Sequence, residues 1–121
     1  MIKSYRELIV WQKASILALK VCRLTGSFPK EEIFGLTSQM RRAAISIPSN
    51  IAEGRSRNTR RDFVQFLRIA LGSAAELQSQ LDIAEKLSLV DKLTYNESDG
   101  LIVEIMRMLS TMISKLKASS L

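Results

Sequence analysis

A chain of 121 residues, 46% hydrophobic and 25% charged, has room for one folded domain and enough apolar content to fill its core. Lys and Arg outnumber Asp and Glu by 18 to 12, a formal net charge of +6, and there is no histidine. The missing histidine excludes imidazole acid–base chemistry, the usual serine and cysteine triads and most zinc and iron sites, so neither a metal nor a cofactor is expected. A single cysteine, Cys22, leaves no internal disulfide to form.

The opening "MIKSYRELIVWQ" has no apolar stretch ending in a small-residue cleavage site, and no charge-free apolar run reaches 18 residues. A cytoplasmic protein with no membrane partner is the expectation. The first helix is predicted to open at Ser4, with Glu7 three residues on completing a capping box, and to run to Leu24 before Gly26 stops it. Its apolar residues fall on two sides: Leu8, Trp11, Leu19 and Cys22 on one, Val10, Leu17, Val21 and Leu24 on the other. Cys22 reads as a buried small hydrophobe.

After the connection "SFPKEEIFG", a second helix is predicted from about Leu36 to Glu53, ended by Gly54. Pro48 lies well inside it and removes a backbone donor. Apolar positions continue across the proline at Met40, Ala44, Ile47 and Ile51, and Ile47 is a poor cap for a new helix, so a kink is favoured over a break. Ser49 and Asn50 are placed to help the freed carbonyls.

The third helix is expected to start at Asn58 or Thr59, either of which can cap, and to reach about Leu87. Within it "ALGSAAEL" puts Gly72 mid-helix at a cost of about 1 kcal/mol relative to alanine, and a close neighbour is the expected compensation. Ser73 has no base nearby in sequence to make it a nucleophile. The fourth helix is predicted from a capping box at Thr94 and Glu97 to about Lys117, with an apolar arc from Met108 round to Met106 that is wider than one seam requires. No segment alternates with period two, so no strand is predicted.

The reading is all-α: an up-down antiparallel four-helix bundle over residues 1–121. Helices one and four carry more apolar surface than a lone bundle can hide, and self-association is expected to cover it, the alternative being a thick monomeric core overlaid by loops.

Between Leu36 and Arg68 stand seven arginines and no lysine: Arg41, Arg42, Arg55, Arg57, Arg60, Arg61 and Arg68, against only Glu53 and Asp62. The guanidinium fork makes paired hydrogen bonds to phosphate or carboxylate, where an ammonium is a mobile point charge. Arginines opening a helix also sit at the wrong end of its dipole, a local cost that an external anion would offset. Phe63 and Phe66 fit the core spacing, so contacts to phosphate and shape are expected rather than base stacking.

The strings "YRELIVWQKA", "FGLTSQMRRAAISIPSNIAEGRSR" and "FLRIALGSAAELQSQLDIA" resemble the four-helix bundle proteins encoded within bacterial 23S ribosomal RNA intervening sequences. That resemblance runs from about Tyr5 to Leu87 and implies a homopentameric barrel with a basic surface. It also makes the chain similar in kind to the accessory variability protein of diversity-generating retroelements, a pentameric bundle that binds nucleic acid and partners a reverse transcriptase. Arg41, Arg42, Asn50, Glu53 and Arg55 match the family's recurring basic and polar pattern, with Arg41 or Arg42 available to pair with Glu53 of a neighbouring copy. Arg57, Arg60, Arg61 and Arg68 are nominated by charge alone. The expected function is non-enzymatic binding of nucleic acid, structured RNA above all, by a homo-oligomer. The alternative is a scaffold or accessory subunit that docks to an acidic or nucleic-acid-processing protein, such as a reverse transcriptase or a ribosome-associated factor. A histidine-dependent helical ribonuclease is excluded.

Overall fold

The computed structural model describes residues 4–119, apart from the side chains of 33, 34 and 119; residues 1–3 and 120–121 of the expected domain lie outside the description. Four long helices account for most of it: α1 (Ile9–Thr25), α2 (Ser38–Arg55), α3 (Arg60–Lys86) and α4 (Lys92–Ser119), with no strand among the described residues. Neighbours in sequence are neighbours in space, and α1 also packs on α4 to close the ring of four. Side-chain pairs show the directions. Lys13 meets Glu104 and Lys20 meets Glu97; Gln78 meets Asp99 and Asp82 meets Tyr95; Arg42 meets Glu76 and Ser46 meets Ser73. As one number rises the other falls, so each of these pairs of helices is antiparallel.

The core follows helical spacing. Val10, Ala14, Leu17 and Val21 of α1 face Met40, Ala44, Ile47 and Ile51 of α2, Leu67, Ala70, Ala74, Leu77 and Leu81 of α3, and Ile102, Ile105 and Leu109 of α4. Each lies at or near full burial, and together they make one continuous cluster. The other sides of the same helices stay open. Ile16 and Leu19 of α1 are 58% and 57% exposed and Ile45 of α2 is 49% exposed, and no loop is laid over them in the described chain.

Several helix ends differ from the sequence reading, each for a local reason. Ser4 does accept the Arg6 N–H, but it caps a single 3-10 turn, Tyr5–Glu7; Leu8 is extended and α1 proper begins at Ile9. At α4 the cap is Asp91, not Thr94: its carboxylate takes the Thr94 N–H at 2.7 Å, which holds that carboxyl below its usual range. Thr59 caps α3 through the Asp62 N–H, settling the choice left open with Asn58. The α3 terminus closes with paired bonds, Leu89 N–H to the Ala84 carbonyl and Ser88 N–H to that of Glu85, with Ser88 in the left-handed region at φ 61°.

Helix α2 runs unbroken through Pro48, and Asn50 donates its side-chain amide to the Ser46 carbonyl and hydroxyl. Gly72, in contrast, is exposed with nothing near the position of a Cβ, so no contact within the protomer compensates for it. Cys22 is half-buried, not buried. Ser73 is bonded to Ser46 at 2.9 Å, a structural tie between α2 and α3.

Gly54 does not end α2. It lies inside the helix, buried, and a Cβ there would come within 2.7 Å of the Phe66 Cβ and 3.0 Å of a Phe63 ring carbon. Gly54→Ala is expected to destabilise the fold by about 1–2 kcal/mol, because overpacking against a rigid Cβ outweighs the gain in helix propensity; chemical denaturation measures it, with Gly72→Ala as the neutral or stabilising comparison.

Candidate nucleic-acid interface

The turn between α2 and α3 spans only residues 56–59, and the packing of Gly54 on Phe63 and Phe66 pulls the two helices together immediately beside it. Arg55 and Arg57 leave α2, Arg60 and Arg61 open α3, and Arg68 follows two turns later. All five therefore sit in the same half of the bundle. Arg57 pairs with Glu53 at 3.0 Å, and its guanidinium lies 4.8 Å from the centre of the Phe66 ring. Phe66, half-buried beside Gly54, thus carries an arginine and is not part of the core its spacing suggested.

Arg41 and Arg42 are placed elsewhere. Arg41 reaches α1, donating to the Thr25 hydroxyl at 2.8 Å and the Cys22 carbonyl at 3.3 Å, so it satisfies an acceptor at the end of that helix. Arg42 bonds Gln39 and forms an ion pair with Glu76 of α3. Both belong to the other half of the bundle, and neither meets Glu53 within the protomer. Of the seven nominated arginines, the fold groups five.

The up-down topology adds cations that the sequence reading passed over. The end of α4 lies beside the beginning of α3, so Lys117 lines a groove with Arg60, Arg61 and Arg68. Cutting the bundle across its middle shows how complete the separation is. The half made by residues 4–14, 47–73 and 104–119 holds ten basic and four acidic side chains; the half made by 15–46 and 74–103 holds seven basic and eight acidic. The first half carries a net +6 and the second −1. The positive excess of the described residues stands at one pole.

The opposite pole has the character its composition implies. Tyr95 donates to the Asp82 carboxylate at 2.6 Å, and this bond, with burial and the nearby charges of Asp82, Asp99 and Glu85, pushes the phenol up to about 12. No group of three or more potential metal ligands is present among the described residues, and no described helix is long and apolar enough to cross a membrane.

Residues 6–111 match the family described as 23S rRNA-intervening sequence protein. The chain belongs to that family. The match covers α1, α2 and α3 whole and stops within α4, so it takes in the arginine turn and the residues packed beneath it. Among solved structures, a protein of unknown function from the S23 ribosomal protein family of Bacteroides thetaiotaomicron is similar at 25% identity and a TM-score of 0.82, over 87% of this chain and 98% of its own. No curated protein matches the sequence. The intervening-sequence family resemblance expected from "FGLTSQMRRAAISIPSNIAEG" is therefore found, together with its four helices.

The Tyr95 arrangement gives a pH prediction. A phenol whose pKa is raised on folding contributes stability that is complete below its ordinary value of 10 and lost as pH climbs through about 12. Ultraviolet titration of the folded protein should show one of its two tyrosines ionising near 12, and Asp82→Asn should return that tyrosine toward 10.

Proposed function

We propose that this member of the 23S rRNA-intervening sequence protein family is a non-catalytic, self-assembling protein that binds nucleic acid, structured RNA in particular, through its arginine-rich pole. The observation that carries the reading is the charge separation: ten basic against four acidic side chains at one pole, with the other pole near neutral. A surface of one sign attracts a polyanion from a distance and releases counterions on contact. Arginine suits the role because its planar fork engages two phosphate oxygens at once. The family's description ties it to ribosomal RNA genes, which supports RNA as the polyanion.

Assembly is proposed from the apolar surface left over. Tyr5, Trp11, Leu19, Ile45 and Pro48 line an open groove of about 460 Å³ between α1 and α2, and Ile69 and Ile83 stand 44% and 47% exposed on α3. Exposed apolar side chains along several helices of a small bundle call for a partner, and a second copy offers matching ones. The homopentameric ring implied by the family resemblance is the arrangement proposed, and it would set several basic poles side by side.

Two outcomes test these readings. RNA affinity should fall as salt rises, by about 0.7–0.9 log units per log unit of salt for each phosphate engaged, and Arg57→Glu with Arg60→Glu should abolish binding in a filter or anisotropy assay. Unchanged binding by that variant would remove the arginine pole as the site. Ile45→Glu should convert the assembly to a particle near 13.6 kDa by light scattering, with helical content retained.

A further inference from the structure

The groove between the first turns of α3 and the last turn of α4 has a volume of about 480 Å³ and is lined by Arg60, Arg61, Val64, Gln65, Arg68, Leu116 and Lys117. Three features set it apart from a merely basic surface. Its four cations come from two helices and converge on one concavity, and none of its seven lining residues is acidic. Its lining also includes two apolar side chains, Val64 and Leu116, and the Gln65 amide, which can both donate and accept. Its size exceeds what a phosphate alone would fill and falls in the range of small-molecule clefts. The groove also lies at the N-terminal end of a 27-residue helix, where the dipole favours an anion.

We infer that this groove is a subsite for a terminal nucleotide: a phosphomonoester held by Arg60, Arg61, Arg68 and Lys117, with its base or sugar on Val64 and Leu116. The inference rests on the reading of the arginine pole as a nucleic-acid interface and names what one part of it takes. A monoester end carries close to two negative charges at neutral pH, whereas an internal diester carries one, so four converging cations discriminate in favour of the end. The same chemistry is offered by the phosphorylated end of an RNA strand and by a free nucleoside monophosphate.

The test compares one short single-stranded RNA prepared with a hydroxyl or with a phosphate at its 5′ or 3′ end, titrated against the full-length protein, with AMP as the free-nucleotide probe. Wild type is expected to bind a phosphate-ended strand about tenfold more tightly, the difference made by one or two charge-assisted hydrogen bonds. Arg68→Gln with Lys117→Gln should erase that preference, so that phosphate-ended and hydroxyl-ended strands bind the variant equally even though both bind it more weakly than wild type, and circular dichroism checks that the variant keeps its helices. Equal affinity of wild type for all ends, with no thermal shift from AMP, overturns the subsite while leaving the arginine pole standing. If wild type binds no strand at all, the pole reading falls; the subsite then survives only if AMP raises the melting temperature of wild type and not of the variant, and it falls with the pole if AMP does neither.

Discussion

Helices α2 and α3 are held together at three levels, and the rest of the molecule depends on that contact. Arg42 is tied to Glu76 near one end, Ser46 to Ser73 in the middle, and Gly54 is pressed against Phe63 and Phe66 at the other end. Because the last of these lies beside the shortest of turns, four arginines cannot move apart. Like charges so confined repel, and the fold offsets the cost locally, through Glu53 and the Phe66 ring for Arg57 and the Thr59 cap for the start of α3. The excess that remains is a field directed outward from one pole.

The bundle itself is legible in the sequence because its information is periodic. Val10, Ala14, Leu17 and Val21, or Met40, Ala44, Ile47 and Ile51, recur at three and four residues, and a helix has no other way to bury them together. Helix ends are less legible because they turn on competition between nearby groups. Asp91 and Thr94 can both cap, and only the geometry shows that the stronger acceptor, three residues earlier, wins. Gly54 looked like a terminator, since glycine often is one; its real constraint is a phenylalanine Cβ across the interface, which no local pattern reveals.

The candidate site divides the same way. The turn arginines are close in sequence and therefore close in space. Arg41 and Arg42 lie only a few turns away yet serve other helices, Arg41 completing the end of α1 and Arg42 bracing α3. Lys117 is nearly fifty residues from Arg68 and shares a groove with it because α4 returns beside α3. That neighbour follows from up-down topology once the helix ends are counted, and the basic C-terminal turn of α4 was the available signal. The apolar surplus on α1 was visible as a second stripe, and Ile16 and Leu19 do lie exposed in the protomer.

Charge and grease thus lie on different parts of one slender bundle, the first gathered at a pole and the second spread along the flanks. Under the proposed function the two are joined: the flanks would assemble copies, and assembly would multiply the poles. Light scattering on the protein with and without a structured RNA examines both at once. A particle several times 13.6 kDa that gains the mass of the RNA at low salt and sheds it at high salt is the predicted result. A 13.6 kDa particle whose mass is the same with RNA present would contradict the account.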